Sequence, residues 1–258
     1  MRTPAWLRDL AGAWIFYSVL PAWPLLRPRF ERIARFAPCI GVVLGALQGL
    51  LWWGLEGRVP LLAQVSLVLA LGLVLTGGLH MDGAMDTADG LAAGERLLEA
   101  MADSRVGASG AQALAVLLLL RAGALALLAG ADAALVPWLL PWTGLWARTA
   151  PLVAMARFPY LRPRGSAAFH RRHWAGLAIE LRPALLTVAT LLPLTARGAG
   201  AGAAALALCG VVPALAVPVR LGRRLGGHSG DSYGACVEWS ESLALLLSGA
   251  VWALGRGG

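Results

Sequence analysis

The sequence predicts an all-α, polytopic integral membrane bundle of about seven spans, and three observations carry that prediction. Hydrophobic residues make up 58% of the 258 positions and charged residues only 14%, with a mean hydropathy of +0.68. Several apolar runs reach about 20 residues, the length a helix needs to cross a hydrocarbon core of roughly 30 Å. The basic side chains, all arginine apart from the histidines, gather in alternate connections between those runs. With no internal repeat and no long linker, residues 1–258 read as a single domain.

Taken in order, residues 10–26 form a short, proline-broken segment that is interfacial, re-entrant or a full span. Arg2 and Arg8 precede it, but Pro21 and Pro24 follow in place of a small-residue cleavage site, so no removable signal peptide is expected. Spans are expected at about 33–54, 60–79, 111–130, 133–156, 183–196, 199–220 and 238–255, the run at 183–196 being short for a crossing. The connections 27–35, 80–110, 157–182 and 220–231 hold 4, 2, 6 and 3 arginines, whereas 55–60, 197–199 and the C-terminus hold one each. The positive-inside rule puts the first set in the cytoplasm. Active-site loops at 80–110, 157–182 and 220–241 would then share the cytoplasmic face.

Composition also excludes some classes. A net charge of +8 suggests nucleic acid, but the arginines are spread over separate loops, so topology and small anionic ligands explain them better and no nucleic acid is expected. Cys39, Cys209 and Cys236 are odd in number and far apart, which argues against a disulfide framework. Trp52, Trp53, Trp138, Trp142, Trp146 and Trp174 fit interfacial belts.

Chemistry concentrates in HMDGAMDTADGLAAGERLLEAMADSRVGASG, residues 80–110. On a helix, Asp82, Asp86 and Asp89 fall on one face within an arc of roughly 60°. Like charges so placed repel, and a cation should sit against them. Oxygen-only ligands suit magnesium, manganese or calcium better than zinc. Gly77, Gly78, Gly83, Gly90 and Gly94 punctuate the aspartates and permit close approach of backbone to ligand. Downstream, Asp103 could join the metal shell while Arg105 forks a phosphate.

A second acidic turn, GGHSGDSYGACVEWSE at 226–241, delivers Asp231, Glu238 and Glu241 to the start of the last span. Asp231 and Glu238 share a helical face, with Glu241 roughly 80° away. Acids entering a membrane helix favour a functional role over simple capping. The connection 157–182, with Arg157, Arg162, Arg164, Arg171 and Arg172, suits an anionic ligand. Its His170-x-x-His173 pair lacks a third ligand at zinc-site spacing. Arg121 and Arg148 lie within apolar spans and should face the bundle interior, neutralising buried acids or contacting phosphate. Carboxylates for a divalent metal beside arginines are the equipment of phosphoryl transfer.

The ordered motifs TGGLHMDGAMDTADG, DSRVGASG and GGHSGDSYGACVEWSE resemble the cobalamin synthase family, also called adenosylcobinamide-GDP ribazoletransferase, over nearly the whole chain. The resemblance implies a magnesium-dependent enzyme of the bacterial inner membrane that joins adenosylcobinamide-GDP to α-ribazole or its 5′-phosphate. The products would be adenosylcobalamin or its phosphate, and GMP. By position, Asp82, Asp86, Asp89, Asp103, Asp231, Glu238 and Glu241 would hold the metal, and Arg105, Arg157, Arg164, Gly227 and Ser229 would contact substrate. Asp82 would be the general base, with His80 the competing base and Arg105 assisting. Membrane lipid surrounds such an enzyme, and a homo-oligomer or contact with other enzymes of the pathway is open. Two departures stand out: Ser229 replaces the family's threonine but keeps the hydroxyl, and Arg164-Gly165-Ser166-Ala167 lacks a second glycine, which could alter base preference.

Two rivals compete. CDP-alcohol phosphotransferases also carry glycine-punctuated aspartates, but with Ala-Arg after the first Asp-Gly, where this chain has Ala84-Met85. A cation transporter would need acids at mid-membrane in a second half, and the aspartates lie outside the expected spans.

Overall fold

The computed structural model describes residues 3–162 and 167–256, and all regular structure among them is helical apart from one isolated parallel bridge, Tyr160 to His228. The helices are α1 (Ala5–Tyr17), α2 (Ala37–Leu55), α3 (Leu61–Thr76), α4 (Leu79–Ala92), α5 (Leu97–Ala100) and α6 (Ala108–Asp132). They continue as α7 (Val136–Arg157), α8 (Ala168–Arg172), α9 (Leu177–Glu180), α10 (Arg182–Ala207), α11 (Val211–Leu225) and α12 (Gly230–Arg256). Three helical stretches, Ala34–Leu55, Ala108–Arg157 and Arg182–Leu225, are long and apolar enough to cross a membrane. The pair α3 and α4 makes a fourth if the two are taken together across a 90° bend. The chain is therefore a helical membrane protein, with three or four candidate spans by length and composition.

Two of those stretches hold internal breaks. Extended backbone at Asp132 (φ −166°, ψ 96°) separates α6 from α7, and Gly200 (φ 89°, ψ 166°) kinks α10. The boundary expected near 197–199 is thus a kink inside a longer helix. α1, at 13 residues, is too short for a full crossing by itself.

α7 is the central post, buried along nearly its whole length. α2 lies against it through Gly41, Gly45 and Gly49, one turn apart on one face. A methyl group at Gly41 or Gly45 would strike the Gly144 or Leu140 carbonyl, and at Gly49 it would stand 2.7 Å from the Pro137 oxygen. In a membrane, where lipid competes equally for apolar side chains, such backbone contact drives helix pairing. Trp52 and Trp142 are fully buried in this core, correcting the interfacial assignment, whereas Trp53 is exposed. Trp142 donates its indole N–H to Thr195 at 2.9 Å.

The step that places the site is the bend after α3. Gly77 and Gly78 both adopt left-handed backbone, at φ 60° and 72°, and the Gly78 N–H returns to the Leu73 carbonyl at 3.0 Å. This closure ends α3 and leaves α4 free to depart at a right angle. α4 carries three carboxylates in 14 residues, so we read it as lying outside the hydrocarbon. It crosses α12 at glycines: a methyl group at Gly83 would sit 2.6 Å from the Asp231 carbonyl oxygen, and at Gly234 2.9 Å from that of His80.

Candidate active site

The glycines among the aspartates permit close approach of helix to helix, and the α4–α12 crossing brings Asp82 and Asp231 to one cavity of about 210 Å³. α1, α2 and α7 close its other sides. Asp82, Asp86 and Asp89 lie on one helix, as their spacing predicts, yet they meet different partners. Asp82 is exposed at the cavity. Burial, reinforced by the charges of Asp82, Asp231 and Asp89 and only partly offset by Arg162, pushes the Asp86 carboxyl up to about 6. Asp89 instead accepts the Gly107 and Gly110 N–H groups, each at 2.8 Å, and so caps the start of α6.

Asp231 accepts from Ser229 Oγ at 3.2 Å and pairs with Arg162 Nη1 at 3.2 Å, while burial raises its carboxyl. Arg162 also donates to the Leu98 carbonyl at 3.1 Å, tying the 157–162 segment to α5. Ser229 caps α12 reciprocally: its hydroxyl accepts the Ser232 N–H at 3.2 Å, and the Ser232 hydroxyl accepts the Ser229 N–H at 2.8 Å. Gly227 is small because Pro159 and Leu161 press on it where 159–161 pairs with His228. Both residues are structural neighbours of the cavity and are not among its lining residues.

Glu238 and Glu241 belong to a second, deeper site. Neither caps α12. Glu238 pairs with Arg121 at 2.6 Å and Glu241 with Arg148 at 3.5 Å, all four nearly buried, which answers the question those two arginines posed. Asp103 and Arg105 form an exposed fork at 2.6 Å in the turn before α6, away from the cavity. The hydrogen bond from Arg105 holds the Asp103 carboxyl down at about 2. Arg157 is exposed, and Arg164, with its Gly165-Ser166 neighbours, lies outside the described residues. Among the described residues no three His, Cys, Asp or Glu side chains converge as the shell of a metal ion.

His80 lines the cavity, buried, with its ring nearly parallel to Tyr17 at 6.2 Å and its Nδ1 unpartnered. Burial and the nearby Arg148 and Arg121 charges hold it well below the ordinary histidine range, so it is neutral at pH 7. His170, in α8, also lines the cavity with an unpartnered Nδ1, and burial lowers it to about 4. His170, half of the His-x-x-His pair, Tyr233, inside the second acidic motif, and Phe16 and Tyr17 all line the cavity, a shared role that their separate places in the sequence do not show. Sequence reasoning missed buried Asp9, which forks Arg29 at 2.6 Å and meets Arg35 at 2.8 Å. A lone acid in an apolar run followed by an arginine cluster was its signal. The three cysteines are free, as expected.

A helical membrane protein with a cavity lined by Asp82, Asp231 and Arg148 is the class that fold and candidate site define. The family profile of cobalamin-5-phosphate synthase matches residues 9–249. The chain belongs to that family. It is 57% identical over 263 aligned residues to the adenosylcobinamide-GDP ribazoletransferase of Prochlorococcus marinus (strain MIT 9303), covering 96% of this chain and 97% of that one. Identity is 40% over 253 residues to the protein of the same name in Thermosynechococcus vestitus (strain NIES-2133 / IAM M-273 / BP-1), with 93% and 95% covered. No solved structure matches the chain.

Proposed function

We propose that this chain joins adenosylcobinamide-GDP to α-ribazole or its 5′-phosphate. The acceptor hydroxyl oxygen bonds to the phosphorus carried by cobinamide, the P–O–P bridge breaks, and GMP leaves with the bridging oxygen. The observation that carries this reading is the meeting of Asp82 and Asp231 in one cavity across the α4–α12 crossing, in a member of this family. Asp82, exposed to the cavity, takes the hydroxyl proton. His80, neutral beside it, is the competing acceptor. Arg162, already within reach of Asp231, is the arginine placed to attract the diphosphate, whereas Arg105, forked with Asp103 away from the cavity, and the exposed Arg157 are not placed to do so in this structure.

The donor chemistry fits magnesium. Asp89, Asp103, Glu238 and Glu241 are taken up by other partners, which leaves at the cavity Asp82 and, shared with Arg162 and Ser229, Asp231 as hard oxygen ligands, with the charge-crowded Asp86 one turn along α4 from Asp82. Magnesium commonly binds through one or two carboxylates plus substrate phosphates. Bound there, it would screen the diphosphate and stabilise the departing GMP.

We also infer about seven crossings: α2, α3, two each in the stretches of 50 and 44 residues, which exceed the ~20 that one crossing needs and break at Asp132 and Gly200, and the 27-residue α12. The arginine-rich connections then face the cytoplasm of a bacterial inner membrane.

The test is GMP release by detergent-purified protein given both substrates, with magnesium and with EDTA. Magnesium-dependent GMP and a cobalamin product are expected, falling at least about a hundredfold in Asp82→Asn and Asp231→Asn. CMP from CDP-diacylglycerol and an alcohol, with no GMP from the cobinamide donor, would sink the proposal.

A further inference from the structure

We propose that the wall formed by Phe16, Tyr17 and His170 seats the heteroaromatic base of the nucleoside acceptor, with His170 Nδ1 and the Tyr233 hydroxyl binding its polar edge. This rests on the transfer reaction above.

Four polar atoms on cavity residues, His80 Nδ1, Arg148 Nε, His170 Nδ1 and Tyr233 OH, are buried without a hydrogen-bond partner. Each belongs to a residue at most 6% exposed. Folded proteins rarely leave such atoms orphaned, and a group of them around one cavity marks a place where a ligand completes the bonding.

The order of contacts divides the cavity. Phe169 meets His170 at 4.0 Å, His170 meets Phe16 edge-on at 6.1 Å, and Tyr17, next in sequence, lies along His80. His80 in turn borders Gly234 and hence the Asp231 crossing. One end is therefore aromatic with neutral hydrogen-bonding groups, and the other is acidic. A nucleoside has the same polarity: a flat uncharged base at one end and a ribose hydroxyl at the other. Placing the base on the aromatic wall, where ring faces stack it, puts the hydroxyl beside Asp82. A cavity of about 210 Å³ is on the scale of a nucleoside and far below that of a corrin, so the donor would present its diphosphate to Asp82 and keep the corrin outside.

Steady-state kinetics with each substrate varied in turn tests the assignment on the wild type, Phe16→Leu, His170→Ala and His170→Gln. His170→Ala and Phe16→Leu are expected to raise KM for α-ribazole about tenfold or more, as loss of one stacking or bonding partner does. KM for adenosylcobinamide-GDP and kcat should stay within about threefold, which also certifies the fold, and His170→Gln should recover part of the loss. Unchanged α-ribazole KM in both variants, or a rise confined to the donor, overturns the subsite alone. Absence of product from the wild type at any α-ribazole concentration overturns the reaction and the subsite together.

Discussion

Three aspartates that look equivalent in sequence carry three different duties, and single substitutions separate them. Asp89 holds the first amides of α6, so Asp89→Ala should lower stability in detergent by about 1–2 kcal/mol, read as an earlier thermal transition. Asp82 is exposed, and Asp82→Asn should leave the transition in place while abolishing turnover. Asp86 is the case where pH enters. Its folded carboxyl, near 6, lies above the ordinary value of 3.8, so the folded state binds more protons than the unfolded state between those values. Stability of the metal-free protein therefore falls as pH rises through that window and does not return above it. Asp86→Asn should make the metal-free protein more heat-resistant at pH 7.5 and inactive, and unchanged heat resistance would mean that Asp86 is not crowded by its neighbours. Arg121 and Glu238 sit at the other extreme. With both nearly buried, truncating either one alone should cost about 3–5 kcal/mol by stranding the other, and truncating both should cost less than the two losses added.

Between elements, glycine decides what can touch. α2 meets α7 along Gly41, Gly45 and Gly49, with no room for a Cβ at any of them. Gly45→Leu should prise the two helices apart and give little folded protein, seen as loss of a single peak in detergent size-exclusion, whereas Gly54→Ala, at an open position, should behave as the wild type. The same logic places the chemistry. Gly77 and Gly78 turn the chain by 90°, and Gly83 and Gly234 let α4 lie on α12. Without the first pair α4 could not leave the axis of α3; without the second, Asp82 and Asp231 would stand apart. The reciprocal Ser229–Ser232 cap then fixes where α12 begins and therefore where Asp231 points.

At the scale of the whole molecule, the cavity exists only because α1 returns to the site. Fully buried Asp9 forks Arg29 and contacts Arg35, and Glu180 pairs with Arg32 at 2.6 Å, so the 27–35 segment is held between α1 and α9. Arginines that read as topology signals thus also dock the element that supplies Phe16 and Tyr17. Much was legible beforehand: the helical class from hydropathy, the one-sided aspartates from their spacing, the inward-facing Arg121 and Arg148 from the cost of charge in lipid, and the family from three ordered motifs. Hydropathy, periodicity and motif order are properties of neighbouring residues, so the sequence by itself determined the helical class, the placement of the three aspartates on one helix and the family. Which carboxylates share a cavity, which are taken up by capping or by arginine, and which aromatic side chains wall the site depend on backbones approaching across long stretches of chain. Only the tertiary structure decided those, because the same carboxylate is a cap, a partner or an open ligand according to what packs beside it.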